Sequence, residues 1–406
     1  LLSPNPFDIG LLSPSGSDPQ VSDAAIVQCL IDVELAHLRT LVAAGIAPES
    51  AMTAVAAFDG VGFGIDPGSL AARAAGGGNP VIPLVADLRA AVSTQNEDAA
   101  QWLHRGATSQ DILDSALMLL AQRARTAIVA QLTQSAENLA TLAEQHRATV
   151  GAGRTLTQHS TPTTYGIRFA TWIHALLDAR DALTSVALPA QLGGASGTLA
   201  SYVALSNPEV ARTLPAAFAE QLGLDTPRSP WHVTRAPITR LGDALVGVTD
   251  ALGLIASNVT TLSRTEIGEL REPRADGRGV SSAMPQKQNP VLGVLLRSIS
   301  LRAPALGSTL HIAAAAAVDE RPDGAWHAEW PTLRELLRLT LGGTSLLCTL
   351  AEGLTVDTER VAQNLAISGT DLLAERQALI GDAGKPADYI GVSDNLIDTA
   401  LERVRA

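Results

Sequence analysis

Apolar residues recur at steps of three and four over long stretches of this chain, and alternating patterns are rare. From about Asp111, Leu113, Leu117, Leu120, Ala124, Ile128, Leu132, Ala136, Leu139 and Ala143 hold that step without an intervening proline. The spacing predicts one helix of roughly 35 residues, about 50 Å long at the usual rise, too long for a compact single-domain globule. Pro237 opens a second rod, in which Ile238, Leu241, Leu245, Val248, Leu252, Ile255, Val259 and Leu262 form a strict heptad seam. A third helix is expected after Pro290, with Leu295, Ile299, Ala303, Leu306 and Leu310 on one face, and a fourth, leucine-rich one over 331–351.

Shorter elements flank the rods. Ser22 is a plausible cap for a helix that ends before Gly45, with Ile26, Leu30 and Val33 at its buried spacing. Gly76-Gly77-Gly78-Asn79-Pro80 precedes a short helix holding Leu84 and Leu88, and residues 1–21 read as an irregular arm rich in proline, serine and glycine. No strand pattern of useful length and no internal repeat are found. The expected fold is all-α: a central bundle of long helices at 108–352, with smaller helical domains at 1–107 and 353–406. A seam that long on such rods usually meets other rods, so homo-oligomerisation is expected.

Composition sharpens this picture. Hydrophobic residues make up 46% of the 406 positions and aromatics only 3%, a balance that favours helices. A net charge of −12 leaves no overall basic surface for nucleic acid. No apolar run is expected to reach the roughly 18 residues of a membrane span, and no leader is recognised, so a cytoplasmic location is expected. The chain opens on Leu1, and residues are expected to precede it. Cys29 and Cys348 lie far apart without metal-ligand spacing and read as small apolar residues of a reduced protein.

Polar islands interrupt the apolar rods. His104-Arg105-Gly106-Ala107-Thr108-Ser109-Gln110-Asp111 stands just before the first long helix. Thr108 or Ser109 can simply cap that helix; with Arg105 beside them, the free amides of a helix start also suit a carboxylate. A second island, Gly153 to Gly166, sets His159 among threonines, either a structural histidine or one that moves a proton near neutral pH. Gln191-Leu192-Gly193-Gly194-Ala195-Ser196-Gly197-Thr198 lacks the strand and spacing of a dinucleotide fingerprint, so no nucleotide cofactor is expected. It reads as a tight turn from which Thr198 can line a site. Asp319 to Trp330 packs Arg321, Trp326, His327 and Trp330 together, as a buried aromatic corner or a pocket wall. The last island, Gly279-Val280-Ser281-Ser282-Ala283-Met284-Pro285-Gln286-Lys287-Gln288-Asn289-Pro290, is a loop delivering hydroxyls and an ammonium to one place.

That loop closely resembles the signature of the fumarase/aspartase superfamily, Gly-Ser-Ser-x-Met-Pro-x-Lys-x-Asn-Pro, departing from it where Val280 stands for the glycine before the first serine. Thr108, Ser109 and Gln110 match the superfamily's carboxylate-binding segment, and Asp111 and Asp114 are then helix-start acids. His159 matches its proton-transfer histidine. The runs 153–162 and 193–198 with Pro230-Trp231-His232 and Trp326-His327-Ala328-Glu329-Trp330 resemble the bacterial 3-carboxy-cis,cis-muconate cycloisomerases. The similarity weakens between Ala374 and Asp388, where the chain is short for that family.

This resemblance implies a cofactor-free and metal-free lactonisation of a small tricarboxylate, 3-carboxy-cis,cis-muconate, to 4-carboxymuconolactone in protocatechuate breakdown by the β-ketoadipate route. It implies a homotetramer whose sites draw on several subunits. The intermediate is an aci-carboxylate, which needs fixed donors and cations at its oxygens. Ser281 or His159 is the expected proton carrier, with Lys287 and Asn289 on the charged carboxylate. Arg105, Thr108, Ser109, Gln110, Thr157, Gln158, Thr198, Ser282, Met284, Arg297, Arg321, Trp326 and His327 are expected around the substrate. Another lyase of the superfamily, such as adenylosuccinate lyase, shares the loop and the histidine; a helical scaffold without activity is the remaining alternative.

Overall fold

The computed structural model describes residue 13 and residues 18–284 and 286–405. Most of the expected arm at 1–21 lies outside them. Among the described residues the fold is all-α, broken by two small antiparallel sheets of two strands each. The chain divides into two compact units, each gathered from three segments: Leu1–Thr126, Val186–Asp243 and Ala305–Arg338, and Ala127–Ser185, Ala244–Pro304 and Leu339–Ala406.

In the first unit the helix Asp23–Ala43 starts where the Ser22 hydroxyl accepts the Ala25 amide, and it packs on the helix Pro208–Leu222. The helix Val81–Ser93 buries Leu84 and Leu88 completely. In the second unit the helix Tyr165–Ser185 packs on Ser393–Arg405, and the helix Thr358–Ile367 packs on a hairpin made by Val150–Thr155 and Gln158–Thr164.

The predicted rods form. Ser109–Gln145 is a single helix of 37 residues, and its nine predicted apolar positions are at most 5% exposed. The helix Ala236–Leu262 buries all eight positions of its seam to 2% exposure or less. The seam is therefore consumed within the chain and gives no argument for assembly, contrary to expectation. Small residues permit the close helix approach that burial requires. A Cβ at Gly242 would lie 2.6 Å from Leu310, at Gly253 2.6 Å from Ser300, and at Gly343 2.7 Å from Leu252. Each of these is closer than two carbons tolerate.

Three further expectations change. The fourth rod, Gly324–Gly353, begins before residue 331 and carries Pro331 inside it, so the aromatic corner is helical. The hairpin escapes a pattern search because its second strand is built from polar residues and Pro162, with an irregularity between Ala152 and Arg154. The helices Ala236–Leu262 and Val291–Ala315 are also long and apolar enough, by length and composition alone, to cross a membrane. A core helix passes the same test, and half of the first helix's apolar window is buried inside the chain. Cys29 is fully buried, whereas Cys348 is half-buried and bonds Ser135.

Candidate active site

The first unit brings three islands together around Asp111. This carboxylate, buried in the first turn of Ser109–Gln145, accepts the amides of Thr108 (3.0 Å), Gly193 (2.9 Å) and Gly194 (3.0 Å) and faces His232 Nε2 at 2.8 Å. It is more than a helix-start acid, because it fastens the glycine-rich loop to the helix start. A Cβ at Gly193 would sit 2.8 Å from both His232 and Pro230, so only glycine fits there. Since Asp111 takes the Thr108 amide, the Thr108 hydroxyl is left for another partner: Arg321, which also donates to the Ala195 carbonyl at 3.0 Å.

Arg321 is half-buried, and both of these partners are neutral. Its Nε is buried without a partner, and no carboxylate pairs with it among the described residues. Arg105 is also half-buried, with its guanidinium 4.5 Å over the Trp102 ring. An uncompensated cation sheltered from water is costly until an anion arrives. Ser109 follows Thr108 and is half-buried, and Thr198 is exposed on the loop that supplies Ala195. His327 is exposed and tethered through its two ring nitrogens to the carbonyls of Asp323 and Gly78, each at 2.9 Å.

Two residues expected at the substrate are buried and hydrogen-bonded within the chain. Gln110 is fully buried, and its amide donates to Asp114 and to the His232 carbonyl at 2.9 Å. Trp326 is 3% exposed and donates to Asp114 at 2.9 Å, so this tryptophan forms the buried part of the corner. Arg235 closes this framework, bonding Asp114 at 2.7 Å and Glu329 at 2.6 Å, all three being buried. Burial pushes the Glu329 carboxyl above its ordinary range, against the pull of Arg235. Further back, His104 meets buried Glu34 at 2.7 Å and His37 meets the Tyr202 hydroxyl at 2.9 Å. Burial opposes a charge on His104, but Glu34 outweighs it and raises the pKa; burial, with a smaller push from His104, takes His37 down to about 4 against the pull of Glu34.

The second unit holds the hairpin and the signature loop. Leu156 and Thr157 form the hairpin turn with φ of 48° and 73°, the left-handed pair that a two-residue turn needs and that β-branched residues resist. Leu156, Thr157 and Gln158 are exposed at this tip. His159 follows, opposite Arg154 in the register, with its Nδ1 2.7 Å from the Ser368 hydroxyl. Arg154 reaches buried Glu269 through two bonds of 3.0 and 2.6 Å, and Tyr165 and Asn364 donate to the same carboxylate. Burial works against a charge on Glu269, yet those three donors leave its pKa below the ordinary carboxylate value.

The loop is folded on itself. Gly279 has φ of 71°, and a Cβ there would lie 2.4 Å from Gln288 Nε2 and 2.5 Å from the Asn289 carbonyl. The glycine requirement thus falls on Gly279, and Val280 sits in an isolated bridge opposite Gln288 and is 64% exposed. Asn289 gives both its amide and its Nδ2 to the Gly279 carbonyl, at 2.9 and 3.1 Å. The Ser281 hydroxyl accepts the Met284 amide at 3.2 Å. Ser282, Met284 and Lys287 are exposed, as is Arg297 on the helix Val291–Ala315. At the base, Glu272 accepts the amides of Leu292 (2.9 Å) and Gly293 (2.6 Å), an acid at a helix N-terminus. No hydrogen bond joins this loop to the hairpin among the described residues.

Sequence reasoning noted neither Glu269 nor Ser368 nor Asn364, since each acts on a partner far along the chain. Glu34 and Arg235 were missed for the same reason.

A family model described as lyase matches residues 79–304. The chain is 44% identical to the nitrosuccinate lyase of Streptomyces davaonensis, covering 92% of this chain and 80% of that protein. It is 41% identical to the 3-carboxy-cis,cis-muconate cycloisomerase of Pseudomonas aeruginosa, over 87% and 76% of the two. The crystal structure of the 3-carboxy-cis,cis-muconate lactonizing enzyme from Pseudomonas putida superposes with a TM-score of 0.87 at 32% identity, covering 98% of this chain and 99% of that one.

Proposed function

The chain belongs to the lyase family of the fumarase/aspartase superfamily, and from that premise we propose that it makes or breaks a bond β to a carboxylate in a small, multiply anionic acid. The observation that carries this reading is Arg321, a guanidinium held by a hydroxyl and a carbonyl with no carboxylate against it among the described residues. In a protein of net charge −12, such a site draws in an anion and holds it by charge-assisted bonds.

The substrate we favour is 3-carboxy-cis,cis-muconate, in keeping with the cycloisomerase relatives. Arg321, Thr108 and Arg105 hold one carboxylate. A second carboxylate oxygen attacks the conjugated double bond; the carbon–oxygen bond forms and the alkene electron pair moves onto the adjoining carboxyl group. Lys287 stabilises that aci-carboxylate, and His159 or Ser281 then delivers a proton to the neighbouring carbon. A second reading rests on the 44% identical nitrosuccinate lyase. There the same groups remove a proton α to a carboxylate, and the carbon–nitrogen bond breaks with its electron pair leaving on nitrite. Both need one cation at each end of the reacting bond and one proton carrier.

The protein is proposed to be a cytoplasmic homotetramer with sites shared between subunits. Apolar side chains left on the outside of the rods support an assembly: Leu254 is 41% exposed, Val294 54%, Leu301 73% and Ile312 67%. Incubation of the purified protein with each substrate separates the readings. Loss of the diene absorbance of 3-carboxymuconate establishes the first, nitrite release from nitrosuccinate the second, and turnover of adenylosuccinate would replace both. Inertness toward all three would leave the scaffold.

A further inference from the structure

His159 has one side-chain hydrogen-bond partner among the described residues, and it comes from a distant part of the chain. Ser368 follows directly on the helix Thr358–Ile367, with φ of −88° and ψ of −7°, and places its hydroxyl 2.7 Å from His159 Nδ1. One helical turn earlier, Asn364 is 4% exposed and gives its amide to the Ile267 carbonyl at 2.9 Å and to Glu269 at 2.8 Å. Glu269 in turn holds Arg154, which stands directly across the hairpin from His159. Residues four apart share one face of a helix. The end of this helix therefore grips both members of a single cross-strand pair, one directly and one through a buried carboxylate.

We infer that this helix end is a positioning clamp for the imidazole, with Ser368 fixing the ring and Asn364 fixing the strand opposite. The inference rests on the proposed role of His159 in proton transfer. A bond at Nδ1 sets the ring's orientation and leaves Nε2 as the nitrogen that can face a substrate. A hydroxyl suits this task because it both donates and accepts. It accepts from Nδ1–H both in the charged ring and in the neutral ring that has given up its Nε2 proton, and it can donate to Nδ1 in the other neutral tautomer, so the ring need not turn as the proton leaves. Ser368 makes no other side-chain bond among the described residues, so its hydroxyl has no competing structural duty.

The test uses the full-length protein and whichever substrate it turns over. His159→Gln is made first; full activity in that variant removes the reading on which the clamp depends. With His159→Gln inactive, Ser368→Ala is expected to lower kcat about ten- to a hundredfold, the scale of a small misplacement of a reacting group. KM should stay within about twofold and the melting temperature should match wild type, while Ser368→Thr restores most of kcat. Wild-type kcat in Ser368→Ala would overturn the clamp and leave the role of His159 standing. A joint loss of kcat and melting temperature that threonine does not repair would also overturn it. If the alanine variant does not fold, Ser368→Cys carries the same comparison, since a thiol is a weaker partner than a hydroxyl.

Discussion

On the proposed reading, Arg321 costs the free protein stability, and a bound anion offsets that cost. Its guanidinium is half-buried, bonded to two neutral oxygens, and its Nε has no partner. Arg321→Met is therefore expected to leave the unliganded protein within about 1 kcal/mol of wild type, or more stable, because an uncompensated charge is removed. The same change should lower kcat/KM by about 30- to 1000-fold, the 2–4 kcal/mol carried by a charged bond to a bound anion. Arg321→Lys keeps the charge but cannot span Thr108 and Ala195 together, and should recover little. Thermal melting and steady-state kinetics on the same preparations check both halves. If Arg321→Met melts well below wild type, the residue is part of the framework and the anion site must be sought elsewhere.

His37 makes a prediction of a different kind, about pH alone. Burial takes its pKa down from 6.5 to about 4. The unfolded chain thus binds a proton that the folded chain refuses between those values, and stability falls as pH drops from about 6.5 toward 4. The loss is on the order of 2–3 kcal/mol at the low end. His104 acts in the opposite sense, since Glu34 raises its pKa against burial and folding gains as it protonates. Comparison of wild type with His37→Gln separates the two. The variant should unfold in urea with a flatter dependence on pH over this window, and parallel curves would mean that His37 does not titrate there.

At the scale of elements, the rods were legible because burial on one face writes a step of three and four into the sequence. Every position of the Ile238-to-Leu262 seam is buried as that step requires. The polar islands were legible too, as interruptions, and three of them meet around Asp111. The hairpin was not. Its strands are held by Glu269, Asn364 and the helix Thr358–Ile367, none of them near in sequence, and polar side chains with a proline give no period. The seam misled in another way, because periodicity records that a face is covered without recording what covers it. Loop elements raise a similar limit: Glu272 has no local signature, yet it closes the base of the signature loop on the amides of Leu292 and Gly293. Glu272→Ala removes an acid from a helix start and should cost about 1–2 kcal/mol. Trypsin should then cut faster at Arg274, Arg278 and Lys287 than in wild type. Unchanged cleavage would show that the self-bonding of Gly279 and Asn289 suffices to hold the loop.

At the scale of the whole molecule, the proposal draws on groups from both compact units. Arg321 and Thr108 belong to one compact unit, and His159 and Ser281 belong to the other, on a hairpin and a loop with no bond between them among the described residues. The helix Val291–Ala315 leaves Val294, Leu301 and Ile312 more than half exposed, an apolar surface whose cover by a second copy would stabilise an assembly. If neighbouring chains complete each site, defects in different chains can complement. Where His159→Gln and Ser281→Ala are each inactive alone, mixing them with reassembly should restore activity. With equal amounts and random assembly, a site drawing these two residues from different chains is intact with a chance of one half for each. About a quarter of wild-type activity should therefore return. The recovery must appear only after subunits exchange, and native mass measurement should show the mixed assemblies. A mixture that stays inactive while mixed assemblies are seen would place both residues of each site on one chain. In that case the imidazole and the serine hydroxyl would have to meet within the second unit, through a movement of the loop.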